Sequence, residues 1–370
     1  MNLFGRSKLR WCVGLSALAL LGGAAFSACG DDNSPATTTT ASTVADTSQA
    51  GVTSPAASPT TNPFTSVDGI VDPTNHGWPR DVKGLNGTIT IEHKPTRITT
   101  MSAGFDEITL GLVPVSRIVG VGSATKNPDT SSMSTEVQDV PTVGRDPESV
   151  ASVSPDLVVA SPTQKADVVA AIAKLGIPIV QLNLDPTPEG RISTILLLGY
   201  LYGEEDRAVT LANEVQKRYE AVTAITSKKP DADRPVVLSA TKYTSMFIAG
   251  SGTTGEGIVT AAGGINAGTK SGIVGNATAS LENVVATDPD VIIIPMAAAP
   301  GAAYKAELMN AAALANTPAI KNGRVFVVPP QLYTTNSFEN VRAVEHLAHI
   351  LWPDDFPAAD PPPFTLPTGQ

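Results

Sequence analysis

Short apolar runs, each suited to a strand buried on both faces, alternate along the chain with stretches whose apolar residues fall at helical spacing. Residues 87–92 alternate apolar and polar positions and read as an edge strand, closed by Pro95. Residues 97–101 predict the first inner strand, residues 102–105 the loop at its carboxyl end, and residues 106–112 a helix. Further strands are expected at 118–121, 157–160 and 177–180, with a helix over 165–175 stopped by Gly176. Two helices follow. The first, over 192–202, is apolar on most sides and reads as buried, and Gly203 interrupts it. The second, from Glu204 to about Lys228, aligns Ala208, Leu211, Val215, Tyr219, Val222 and Ile225 on one face and charges on the other. At 1.5 Å per residue it would extend about 37 Å. The alternation then resumes, with strands at 235–238, 291–294 and 324–328 and helices over 255–262, 305–315 and 339–351. Such alternation predicts an α/β protein with parallel sheets.

One segment occurs twice. Glu148-Ser-Val-Ala-Ser-Val-Ser-Pro155-Asp156-Leu-Val-Val-Ala is matched by Glu282-Asn-Val-Val-Ala-Thr-Asp-Pro289-Asp290-Val-Ile-Ile-Ile. The offset of 134 residues is far longer than a solenoid repeat. It implies two similar α/β lobes in one chain, with a cleft between them. In the first copy Asp146 can cap a short helix, Pro147 suits its first position, and Glu148 falls in its first turn. Val150 and Val153 share a face that can pack on the sheet. Pro155 ends the helix, because the residue before a proline avoids the helical region. In the second copy Ser280 can cap, and Glu282 again falls in the first turn. Both glutamates are expected to point outward at matching places. A first-turn Glu complements the helix dipole; two in the same register also suit a shared recognition role.

The amino-terminal end reads as an export signal over residues 1–28. Arg6, Lys8 and Arg10 precede an apolar stretch over 11–26, shorter than the roughly 20 residues a spanning helix needs. Phe26-Ser27-Ala28-Cys29 resembles a bacterial lipobox, with Phe26 where Leu is usual. Cys12 lies inside the segment that would be removed, so Cys29 is left as the lone cysteine, no internal disulfide is possible, and acylation is its natural use. Removing residues 1–28 leaves 22 bases against 35 acids, a net charge of about −13. That balance argues against nucleic acid or an anionic membrane surface as ligand and leaves negative surface for a basic partner. Residues 29–66, rich in Thr, Ser and Pro, read as a disordered tether. The proline-rich tail over 353–370 is expected to lie along the surface or to be disordered.

Enzyme signatures are weak or missing. Gly250-Ser-Gly-Thr-Thr-Gly255 matches GxGxxG, but no acidic residue follows about 20 positions on to take a ribose. It reads instead as a loop capping the next helix. No GxSxG and no HExxH occurs. Of the histidines His76, His93, His346 and His349, the last two share a face near the end of the final helix, where the helix dipole favours them. A bare metal site would need more convergent ligands. The chain is therefore expected not to be an enzyme and to hold no cofactor or metal of its own.

An ordered set of stretches carries a family resemblance. They are residues 97–102, 116–121, 148–160 and 175–180 in the first half, and 262–266, 282–294 and 322–328 in the second. Over about 255 residues the chain resembles the periplasmic binding proteins that serve ABC importers of iron-siderophores, haem and vitamin B12. The resemblance implies two Rossmann-like lobes joined by a long rigid α-helix, with a ligand cleft between the lobes. The expected division is 67–203 for the first lobe, 204–229 for the linking helix and 230–352 for the second lobe. It also implies that Glu148 and Glu282 dock onto arginines of the importer's membrane subunits. The implied protein is a monomeric lipoprotein on the outer face of the cytoplasmic membrane, held there only by its lipid. It would capture a ferric siderophore or similar chelate, bringing iron only as part of that chelate. Haem or vitamin B12 binding, and a scaffold that transports nothing, are the alternatives. Ligands of open α/β sheets sit at the carboxyl ends of strands. That rule nominates Ser102, Phe105, Arg145, Ser161 and Gln164 in the first lobe, and Tyr243, Phe247, Met296 and Tyr333 in the second. Arg145 and Lys242 could meet anionic oxygens of a chelate.

Overall fold

The computed structural model describes residues 62–357 and 360–368. The export signal, Cys29 and the tether up to residue 61 lie outside the described residues. The tether's expected end is corrected: Asn62 caps a short 3-10 helix, Pro63–Ser66, and Phe64 is buried.

The first lobe opens with an antiparallel hairpin, β1 (Arg80–Gly84) and β2 (Gly87–Ile91). Only its second strand was legible as alternation. Next come β3 (Ile98–Thr100), α1 (Ala103–Leu112), β4 (Ile118–Gly120), α2 (Pro147–Ser152), β5 (Leu157–Ala160), α3 (Ala166–Lys174) and β6 (Ile179–Gln181). Their strands form one parallel sheet in the order β4-β3-β5-β6. α1 begins earlier than expected, because the Ser102 hydroxyl caps it by accepting the Phe105 amide. α4 (Pro188–Tyr202) also begins early, capped by Thr187 with Pro188 in the first turn, and ends at Gly203 with φ of +67°.

α5 (Glu205–Thr226) is the linking helix, about 33 Å long at 1.5 Å per residue. It packs on α1 and α4 of the first lobe. It also packs on two second-lobe helices, Thr254–Ala261 and Asn340–Leu351. Ala208, Leu211, Val215, Tyr219 and Val222 form its buried face.

The second lobe holds β7 (Val236–Lys242), β8 (Met246–Ala249), α6 (Thr254–Ala261), β9 (Ile265–Asn266), α7 (Ala267–Lys270), β10 (Asn276–Ala279), α8 (Leu281–Thr287) and β11 (Val291–Pro295). α9 (Ala298–Asn310), α10 (Pro318–Lys321), β12 (Val325–Val328), α11 (Pro330–Tyr333) and α12 (Asn340–Leu351) complete it. The run β9-β7-β11-β12 is parallel and repeats the order of the first lobe. β8 and β10 are an antiparallel addition beside β7. α9 lies several residues before its expected place. Pro300 falls in its first turn, where a missing N–H leaves no helical hydrogen bond unmade. No helix among the described residues is long and apolar enough to cross a membrane.

The sequence repeat is a structural repeat. α2–β5 and α8–β11 are equivalent, and Val150 and Val284 are both fully buried. Ser154 and Asp288, at matching positions, are the two non-glycine residues with positive φ among the described residues, at 47° and 43°. This left-handed residue, together with the proline after it, stops each helix. The following aspartates also act alike. Asp156 accepts from the amides of Thr96 (2.7 Å) and Arg97 (2.9 Å), and Asp290 from that of Val236 (2.8 Å). Each pins the start of the neighbouring strand.

Candidate functional site

The carboxyl ends of β7 and β11, with β8, β10, the start of α6 and the end of α11, enclose a cavity of about 390 Å³. β7 contributes Ser239 and Thr241, and the hairpin after it contributes Tyr243. Phe247 comes from β8, Thr253 and Thr254 from the α6 start, Asn276 from β10, and Tyr333 and Thr334 from α11 and its end. None of these carries a charge. The wall is aromatic rings and hydroxyls.

The glycine-rich loop before α6 borders this cavity. A Cβ on Gly250 would lie 2.2 Å from the Ile273 carbonyl oxygen, so only glycine permits that approach. Thr253 caps α6, its hydroxyl accepting the Glu256 amide at 3.1 Å. The loop thus acts as a helix cap, as its sequence context suggests.

Tyr333 is nearly buried, and its hydroxyl lies 2.8 Å from His346 Nδ1. Burial raises the tyrosine pKa well above its usual range and lowers that of the histidine. Phenol and imidazole thus share one partly buried hydrogen bond at the end of the cavity wall. His349 Nδ1 lies 2.6 Å from the Phe356 carbonyl oxygen.

The other nominees divide. Phe105 is fully buried in the main core, and Met296 is buried beneath the cavity wall, its sulfur accepting the Lys242 amide at 3.3 Å. Both are packing residues here. Lys242 Nζ sits 2.6 Å from both Glu307 carboxylate oxygens, so its charge is already met. In the first lobe, Ser102, Ser161 and Gln164 gather at the carboxyl ends of β3 and β5. Gln181 donates to the carbonyls of Ser161 (3.0 Å) and Gln164 (2.9 Å), and Gln164 to that of Arg145 (3.3 Å). Arg145 is exposed and in no ion pair among the described residues. None of these four lines the cavity of the second lobe.

Sequence reasoning missed the hydroxyl lining. Serines and threonines are too common to stand out until β7, the α6 start and the end of α11 bring them together. A second cavity, of about 680 Å³, lies where the loop after β6 meets α6. Of its three carboxylates, Asp185 accepts the Thr187 amide at 2.8 Å and Glu256 the Gly252 amide at 2.6 Å, whereas Glu189 is exposed and in no ion pair among the described residues.

Glu148 and Glu282 are both exposed. Each sits in the first turn of its helix, behind the caps Asp146 and Ser280. Neither is in an ion pair among the described residues.

The sequence model described as "Periplasmic binding protein" matches residues 98–332. Among curated proteins, an uncharacterised ABC transporter substrate-binding lipoprotein, YvrC of Bacillus subtilis, is 25% identical over 73% of this chain and 84% of its own length. A cobalamin-binding protein of Halobacterium salinarum is 27% identical over 66% of each chain. Among solved structures, the molybdate periplasmic binding protein MolA of Haemophilus influenzae superposes with a TM-score of 0.65. That match has 19% identity and covers 75% of this chain and 93% of that one.

Proposed function

The chain belongs to the periplasmic binding protein family, and on that premise we propose that it captures a ferric-siderophore-type chelate outside the cell and hands it to an ABC importer. It is a binding protein and not an enzyme, as its relatives are. The observation that carries the ligand reading is the cavity at the strand ends, walled by Tyr243, Phe247 and Tyr333 and by hydroxyls, without a charge. Such a wall suits a large, uncharged, oxygen-rich ligand. Three hydroxamates cancel the charge of Fe(III), whereas three catecholates leave an excess of negative charge that this wall does not meet. Uncharged hydroxamate chelates are therefore favoured.

Vitamin B12 is the second reading. The cobalamin-binding relative supports it, and an amide-fringed corrinoid would use the same hydroxyls. Haem, with two carboxylates, fits less well unless Arg145 reaches them. A thermal-shift panel separates these cases: ferric hydroxamate, catecholate and citrate chelates, haem and B12. A ligand at 100 times its Kd stabilises by about 2.7 kcal/mol. No shift with any member would favour the scaffold reading.

Export and lipid anchoring through Cys29 complete the proposal, supported by the lipobox-like ending and the lipoprotein relative. Cys29→Ala should move the protein from the membrane to the soluble fraction. A wild-type protein already fully soluble in its host would contradict this. Glu148 and Glu282 are the proposed contacts to importer arginines. Single Glu→Ala changes should weaken uptake modestly and the double change strongly, with chelate affinity unchanged. Normal uptake by the double mutant would return both residues to helix-dipole complement.

A further inference from the structure

Three consecutive side chains of the loop between α11 and α12 bond to the first lobe. Thr335 donates to the Thr130 carbonyl at 2.6 Å. Asn336 donates to the Leu184 carbonyl at 2.8 Å and accepts from Arg191 Nε at 3.1 Å. Ser337 donates to Glu107 Oε2. The partners come from α1, α4 and the loops after β4 and β6. The backbones also touch: a Cβ on Gly104 would lie 2.2 Å from the Asn336 carbonyl oxygen.

The loop is held in one shape by Asn340, which is fully buried. Its amide donates to the carbonyls of Leu332 (2.6 Å) and Thr335 (2.8 Å), and its oxygen accepts the Ser337 amide at 3.0 Å. Residues 332–337 are thereby tied into one piece. That piece includes Tyr333 and Thr334, two residues of the cavity wall.

Glu107 anchors the arrangement from the other side. It is fully buried, and Oε1 accepts from the Ser131 hydroxyl at 2.7 Å and the Ser132 amide at 3.1 Å. The charged groups facing it come from the start of α12: its N-cap Glu339, almost fully buried, and Arg342, paired to Glu339 at 2.6 Å. Arg218 of α5 stands beyond them and also acts on Glu339. Asp106, its neighbour on α1, is turned instead to Thr100, Thr125 and the Gly122 amide.

We propose that Glu107 and the tripeptide 335–337 form an interlobe staple that positions the Tyr333–Thr334 wall of the cavity, with Glu107 as its proton-dependent member. Only the wall's role in binding rests on the function proposed above. Burial, aided by Glu339, raises the Glu107 pKa to about 8. Packed, the carboxyl favours its protonated form, in which Oε2 donates to the Ser337 hydroxyl and the bond of the ionised form is reversed. Separating the lobes returns it to water, where it ionises in the ordinary carboxylate range. Rising pH through about 8 favours separation, and lower pH favours the stapled form.

The test is pulsed EPR between spin labels at Leu175→Cys and Val274→Cys, exposed sites in the first and second lobes. The full chain is used, with Cys12→Ser and Cys29→Ser. Wild type should give one narrow distance at about pH 6.5 and a broadened, longer distribution at about pH 9.5. Glu107→Gln should stay narrow at both, and Ser337→Ala should be broad at both. Hydrogen exchange reads the wall directly: amides 331–335 should exchange at least about tenfold faster in Ser337→Ala than in wild type at the lower pH. An identical pH response in wild type and Glu107→Gln would overturn the proposal, and so would unchanged exchange in Ser337→Ala. No ligand is present in either measurement, so the result is independent of the chelate panel.

Discussion

Asp106 and Glu107 are adjacent acids without solvent contact, and burial raises them to about 7 and about 8. A carboxyl raised by folding stabilises the native state fully below its unfolded pKa. That contribution is lost as pH climbs through the folded value. Melting temperature should therefore decline between about pH 5 and about pH 8, and the decline should be shallower in Glu107→Gln. Calorimetry across that range checks the slope; a flat wild-type profile would contradict the assignment. Burial also separates packing from contact among the aromatics. Phe105→Ala should cost about 3–5 kcal/mol in urea unfolding, the usual range for a core phenylalanine. Tyr243 is 71% exposed, and its truncation should cost under about 0.5 kcal/mol while weakening chelate binding. If Tyr243→Ala bound the panel's best chelate normally, the cavity would lose its outermost proposed contact.

At the level of elements, the two copies of the repeat differ in how much each aspartate holds. Asp156 accepts from two amides and also from the Thr96 hydroxyl at 2.9 Å, whereas Asp290 accepts from one amide. Asp156→Ala should cost about 2 kcal/mol and Asp290→Ala about 1 kcal/mol, measured by denaturant unfolding. Equal costs would mean that the strand start, and not the carboxylate, fixes the joint. The helix stops are open to test as well. Ser154→Gly should be neutral or stabilising by up to about 1 kcal/mol, because glycine relieves the left-handed backbone but adds unfolded-state entropy.

Over the whole molecule, the tail is a strap across α5 and α12. Phe364 is buried against Phe338, with ring centroids 4.9 Å apart, and the Arg218 guanidinium lies 4.5 Å over its ring. Arg207 donates to the Thr365 carbonyl at 2.7 Å. Phe364→Ala should lower stability by about 2–3 kcal/mol, less than a central core phenylalanine because the strap can relax. A loss below about 0.5 kcal/mol would show the strap to be dispensable. The chain's net charge of −10 belongs to this scale too. The proposed pairing of Glu148 and Glu282 with importer arginines should weaken as salt rises, mainly through a slower encounter.

Periodicity alone determined most of the architecture. Buried parallel strands such as β5 and β11 need unbroken apolar runs, and α5 needs its apolar stripe, so each was legible without neighbours. The repeated Glu-to-Asp segment likewise revealed two lobes, because the same local joint was built twice. β1 and β10 were not legible, since such strands are short and polar on one face and draw their order from pairing, and β8, apolar but only four residues long, needed β7 and β10 beside it to read as a strand. The site divided in the same way. Tyr243, Phe247 and Tyr333 follow from the rule that ligands meet strand ends. Phe105 and Met296 obey the same rule on paper but turn into the core, because a side chain's direction is set once its helix or strand packs. The staple was invisible in sequence: Glu107 and Ser337 lie 230 residues apart, and only the folded chain makes them neighbours.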